Sequence, residues 1–112
     1  MSIGEKKLLT DILTAIKGID EHLESRRLFT EYKTSNTKRR AVERELEIIG
    51  EAVNNLLKIN PAIPISFARI VVDLRNRIIH AYDNVNDTLI WKIIMKDVPV
   101  LLQEVQQLLK EE

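Results

Sequence analysis

Arg75 and His80 are separated by four residues in the segment Arg75-Asn76-Arg77-Ile78-Ile79-His80-Ala81-Tyr82, and their ionisation suits phosphoryl transfer. Histidine, with an ordinary pKa of about 6.5, takes a proton from one oxygen and returns one to another near neutral pH. Arginine keeps its charge and offers a planar donor fork to phosphate, where negative charge grows during the reaction. The pair fits attack by a ribose 2′-hydroxyl on its own neighbouring phosphodiester. That reaction needs proton transfer and charge stabilisation but no metal or other cofactor, and it cleaves RNA but not DNA. Asn76, four residues before His80 and therefore beside it on a helix, can orient the imidazole or bind the phosphate. Tyr82 adds a hydroxyl at the mouth of such a site. The spacing alone is common in unrelated helices. A surface histidine, or an arginine paired with Asp73 or Asp83, would produce the same pattern.

For these side chains to act together the segment must be helical and must turn one face away from the core. At about 100° per residue, Phe67, Ile70, Val71, Leu74, Ile78 and Ala81 gather within roughly a third of the circumference. This predicts a third helix from Phe67 to about Tyr82, with Ser66 as its cap. Arg75 and His80 lie about 140° apart on another side of the same wheel, with Asn76, Ile79 and Asp83 between them and Ala68 and Val72 on the same stripe. A surface that mixes apolar residues with Arg, Asn and His is one that meets a second subunit. A homodimer through the third-helix face would bring two copies of Arg75 and His80 together.

The rest of the chain supplies helices to hold that one. Leu8, Leu9, Ile12, Leu13, Ile16, Ile19 and Leu23 recur at three- and four-residue steps and predict a first helix from Glu5 to about Glu24. Oxygens in Thr34-Ser35-Asn36-Thr37 can cap a second, which carries Ala41, Val42, Leu46, Ile49, Val53, Leu56 and Leu57 and ends near Ile59 before Asn60-Pro61. Pro61-Ala62-Ile63-Pro64 is a stiff connector. Asp87 or Thr88 can cap a fourth helix, from Leu89 to Leu108, which Pro99 should bend or locally break. The segment from Ser25 to Thr37 reads as loop or frayed helix. The expected fold is all-α, an antiparallel four-helix bundle forming one domain over residues 1–112.

Composition agrees and excludes other classes. The 112 residues are 45% apolar and 30% charged, with three Gly and three Pro, so neither a disordered tail nor a turn-rich β architecture is expected. There is no cysteine, which removes disulfides, thiolate metal sites and a cysteine nucleophile. Seventeen basic residues cancel seventeen acidic ones, so any hold on nucleic acid must be local. The N-terminus lacks the unbroken apolar stretch of a signal peptide and no segment is apolar enough to span a bilayer, so a cytoplasmic protein without membrane attachment is expected.

Taken together, these segments resemble the HEPN superfamily and, within it, the HepT-like toxins. Their motif is Arg, a polar residue, three further residues, His, any residue and Tyr, matched here by Arg75, Asn76, His80 and Tyr82. Ala41-Val42-Glu43-Arg44-Glu45-Leu46-Glu47-Ile48-Ile49-Gly50-Glu51-Ala52 is similar to the family's second-helix signature. Ile63-Pro64 before the motif helix, and Trp91-Lys92-Ile93-Ile94 with Asp97-Val98-Pro99, are similar to its later elements. Family members often carry Trp just after the Ile-Pro step, where Ile65-Ser66-Phe67 stands here. The resemblance implies a homodimeric helical bundle with a metal-independent endoribonuclease site in which Arg75 and His80 are catalytic. It also implies a minimal nucleotidyltransferase antitoxin as partner, which in some systems adds AMP to the motif tyrosine, here Tyr82. A non-catalytic module of the same fold, binding nucleotide or RNA beside a nucleotidyltransferase, is the alternative.

Other residues carry plainer readings beside functional ones. Tyr82 can be a packing residue with a wet hydroxyl as readily as a modification target. Gly50, in mid-helix, favours close packing over room for a ligand. Lys38-Arg39-Arg40 with Arg44 could grip RNA phosphates, although such runs more often form a solvated face. Glu47 and Glu51 lie one turn apart but lack the histidines of a metal site. His22 shows no partner, and Trp91 is expected in the core or the dimer interface.

Overall fold

A computed structural model describes residues 1–66 and 87–111, all helix and connector, with no strand among them. The chain enters α1, Ile3–His22, through a capping box: Ser2 Oγ accepts from the Glu5 N–H at 3.1 Å, and the Glu5 carboxylate accepts from the Ser2 N–H at 3.2 Å. These bonds satisfy free donors of the first turn and hold the Glu5 carboxyl below its ordinary value. The helix therefore starts two residues before the predicted Glu5. It ends at His22, because Glu24 and Ser25 adopt the left-handed region with φ of 56° and 58°. The Ser25 N–H still reaches Asp20 O at 2.9 Å, closing the helix end.

The segment expected as loop or frayed helix contains a six-residue helix, α2, Phe29–Thr34. So short a helix gains little from local hydrogen bonding, and α2 is held by burial of Tyr32, which is wholly inaccessible to solvent. Its ring lies 5.3 Å from that of Trp91, and Phe29 lies 5.8 Å from the same indole. Ser35 then caps α3, Asn36–Ile59, accepting from the Lys38 N–H at 3.1 Å, as the oxygens of that stretch predict. Val42, Leu46, Ile49, Val53 and Leu56 are buried on one side of α3, with Gly50 and Ala52 beside them.

Helix α1 lies antiparallel to α3. A Cβ placed on Gly4 would touch Ile59 Cδ1 at 3.8 Å near one end, while His22 Nε2 meets Glu45 Oε2 at 2.9 Å toward the other. The partner of His22 is thus a carboxylate 23 residues away in sequence. Gly18 makes room for it: a Cβ there would stand 2.8 Å from Glu45 Cδ, so a larger residue must push the carboxylate aside. We expect His22→Ala to cost about 0.5–1 kcal/mol in the wild-type background, as half-exposed pairs do. In a Gly18→Ala background, where the pair is already broken, it should cost nothing. A double-mutant cycle by urea unfolding reads the difference, and equal costs in both backgrounds would refute the coupling.

After residue 86 the chain re-enters a short helix, α4, Asp87–Lys92, passes through a π-helical turn at Ile93–Asp97, and continues as α5, Val98–Lys110. The Val98 N–H bonds Ile93 O, one residue further back than in an α-helix. Pro99, in the first turn of α5, explains the widened turn. It has no N–H to give, and its ring crowds the carbonyl four residues earlier. The bend or break expected at Pro99 is therefore a local change of winding. Ile90, Ile94, Leu101 and Val105 are buried on the inner side of this last unit, whose final helix packs against α1. The predicted third helix, Phe67 to Tyr82, lies outside the described residues.

Candidate active site

Arg75, Asn76, His80 and Tyr82 lie outside the described residues; the structure shows how the chain is held on either side of them. On the approach, Asn60 ends α3 and turns the chain: Asn60 Oδ1 accepts from the Ala62 N–H at 3.2 Å, and its carbonyl accepts from the Ile63 N–H at 3.1 Å. Pro61 and Pro64 forbid continued helix, while Ile63 and Ile65 are driven into the core, 7% and 8% exposed. The main chain at Ser66 is then fixed by a distant carboxylate, its N–H donating to Glu104 Oε2 of α5 at 2.8 Å.

On the far side, the Asp87 carboxylate lies 3.6 Å from Arg39 Nη1. Arg39 is itself anchored, donating to Lys33 O at 2.7 Å and to the Asn36 side chain. One turn past Asp87, Trp91 seats against Tyr32 and Phe29, so it packs at the margin of the core. The segment 67–86 is thus joined to the bundle by Ile63, Ile65 and Glu104 before it and by Arg39 and Trp91 after it.

The electrostatics around Asp87 are unusual for a surface. Burial raises the Glu43 carboxyl above its ordinary value, and the negative charge of Asp87 adds to the effect. The Tyr32 phenol is pushed up strongly by burial, with Glu43 and Asp87 adding to it, and its hydroxyl finds no hydrogen-bond partner among the described residues. The Glu43 and Asp87 carboxylates therefore lie near one another where the chain leaves the segment 67–86, with Arg39 as a cation close to both and the neutral Tyr32 phenol beside them.

The basic run of α3 is largely committed. Lys38 reaches Glu31 at 3.7 Å, Arg39 holds Asp87, and Arg44 reaches Glu47 at 3.1 Å; Arg40 has no ion pair among the described residues. Glu47 therefore serves Arg44, and no group of three His, Asp or Glu side chains able to hold a metal forms among the described residues. The surface groove between α1 and the π turn, lined by Ile16, Asp20, Arg27, Met95 and Pro99, encloses about 340 Å³ and contains no histidine. No sequence signal announces the His22–Glu45 contact, since it depends on the packing of α1 against α3.

A family model for ribonuclease HepT-like proteins matches residues 12–108, which take in α2, α3, the motif segment and nearly all of α5. The chain belongs to the HepT-like family. Several of its relatives cover it nearly end to end. A Methanocaldococcus jannaschii protein named "Putative RNase MJ0127" is 34% identical over 110 residues, 95% of this chain and 88% of its own. A Thermococcus cleftensis protein named "Probable ribonuclease HepT" is 34% identical over 115 residues, 98% of this chain and 100% of its own. A second M. jannaschii protein, named "Putative RNase MJ1380", is 36% identical over 105 residues, 90% of this chain and 93% of its own. No solved structure matches the chain. For a HepT-like chain, the anchored ends at Ser66 and Asp87 bracket the segment in which the motif residues fall.

Proposed function

We propose that this protein is a metal-independent endoribonuclease of the toxin type, acting as a homodimer through the helix face that carries Arg75 and His80. The observation that supports this reading is the family match over residues 12–108, with Arg75, Asn76, His80 and Tyr82 at the motif positions. In the proposed reaction His80 accepts the proton of a ribose 2′-hydroxyl as its oxygen bonds the adjacent phosphorus. The bond from phosphorus to the 5′-oxygen breaks, and that oxygen takes up a proton, leaving a 2′,3′-cyclic phosphate and a 5′-hydroxyl. Arg75 stabilises the charge that develops on the non-bridging oxygens, and Asn76 holds the phosphate. A nucleotidyltransferase partner restrains the enzyme, with the Tyr82 hydroxyl as the group that would receive AMP. No helix among the described residues is long and apolar enough to cross a membrane, and the site of action is the cytoplasm, where RNA is abundant.

Single-stranded RNA incubated with the purified protein in EDTA should yield fragments ending in cyclic phosphate, while the same strand made with 2′-deoxyribose should remain intact. Cleavage of both strands, or of neither, would refute the mechanism.

A further inference from the structure

We propose that α2 and the first two turns of α3 form the track along which the sugar–phosphate backbone of a single-stranded RNA approaches the active segment, an inference that rests on the ribonuclease reading. The chain as a whole is neutral, yet residues 26–44 contain seven lysines and arginines against two glutamates, a net charge of +5. Several of these cations are engaged: Arg26 and Lys38 with Glu31, Arg27 with Asp20, and Arg39 with Asp87. Lys33 and Arg40 have no ion pair among the described residues, and both are exposed. Arg44 pairs with Glu47 while its side chain stays 69% exposed, a geometry that contributes little and is easily exchanged for a phosphate.

Lys33 lies 6.0 Å from the centroid of the Phe29 ring, while Arg40 and Arg44 stand exposed. Arg40 and Arg44 lie one turn apart on the side of α3 opposite Val42, Leu46, Ile49 and Val53. Lys38, Arg39 and Arg40 also stand near the start of a 24-residue helix whose first turn holds no acidic residue. The positive end of the helix dipole disfavours cations there, so this placement costs stability that neutral residues would not. Carboxylates offset Lys38 and Arg39, and a phosphodiester charge is the complement left for Arg40, which has no ion pair among the described residues.

Position makes RNA the occupant. Arg39 spans from this surface to Asp87, which follows Tyr82 by only five residues, so the basic surface adjoins one end of the active segment. A strand whose 2′-hydroxyl must swing into line with the bond it breaks has to be flexible there, which a single strand is and an A-form duplex is not.

The test uses a fluorescein-labelled 20-mer RNA that is 2′-O-methylated throughout and therefore uncleavable, with binding to the full chain followed by anisotropy across a salt series. The Arg40→Ala/Arg44→Ala double variant should bind about tenfold more weakly at low salt. The slope of log Kd against log salt should fall by about 1.4, the value for two lost phosphate contacts on a single strand. On cleavable RNA the loss should appear in KM. Lys110→Ala, at the end of α5, should bind as wild type does. Equal binding and an unchanged slope for the double variant would overturn the track, as would wild-type protein that binds polyglutamate but not RNA. If cleavage fails in every form while the double variant still loses RNA binding, the ribonuclease reading falls and the track stands.

Discussion

Replacing His80 with Ala should lower the proposed RNA cleavage by about a thousandfold or more, while circular dichroism and the sedimentation of the protein stay unchanged. Removing a positioned acid or base ordinarily costs two to four orders of magnitude, and here the group lost is the one assigned the proton transfers. Arg75→Ala should cost about a hundredfold to a thousandfold, as loss of one preorganised donor does. Arg75→Lys should recover only part of that, because a point charge replaces a planar fork. Both substitutions lie on the face assigned away from the core, so the loss should appear in turnover rather than in unfolding midpoints. Full cleavage by a folded His80→Ala variant would mean that the chemistry resides elsewhere in the chain.

Ile49→Ala should be among the most damaging single changes to the fold. Ile49 is wholly buried in the middle of α3, within the cluster that joins α1, α3 and the last helical unit. Deleting its side chain removes buried apolar surface and leaves a cavity, at a cost of about 2–5 kcal/mol. A domain of this size is stabilised by only about 5–15 kcal/mol, so the melting temperature should drop by about 10 °C or more. Two contrasts give the experiment its control. Leu28→Ala, at a residue 49% exposed, should change stability by less than about 0.5 kcal/mol. Tyr32→Phe removes a buried hydroxyl that has no partner among the described residues, so it should be neutral or stabilising by about 1 kcal/mol. An Ile49→Ala midpoint within a degree or two of wild type would show that the buried cluster does not carry the stability assigned to it.

Helices α1 and α3 were legible because their signals are local. The spacing of Ile12, Ile16 and Ile19, or of Val42, Leu46, Ile49 and Val53, needs only the 3.6-residue turn and one apolar side to be read. Ser35 was legible as a cap for the same reason, since its oxygen serves an N–H three residues on. The capping box at Ser2 and Glu5 is equally local, but it lies just ahead of the apolar repeat that marked the helix start. Arg75 and His80 were read as a chemical pair from residue type and spacing, an expectation that falls on residues outside the described ones.

The tertiary structure alone decided what joins segments distant in sequence. Nothing near Tyr32 marks it as the most deeply buried aromatic among the described residues; its ring packs on Trp91, 59 positions later. His22 acquires Glu45 only because α1 and α3 run antiparallel with Gly18 between them. Arg39 belongs to a charge run in the sequence and to Asp87 in the fold. Pro99 announced a disturbed helix, and the structure confines the disturbance to one widened turn at Ile93–Asp97. The reason is common to all four. A helix turn brings together residues three or four apart, whose interaction their types nearly determine, whereas a contact across helices depends on register and crossing geometry, which are set by the whole core at once. For the segment from Arg75 to Tyr82, the sequence supplied the expectation of chemistry, and the fold determined the two ends, Ser66 on Glu104 and Asp87 on Arg39, between which that segment runs.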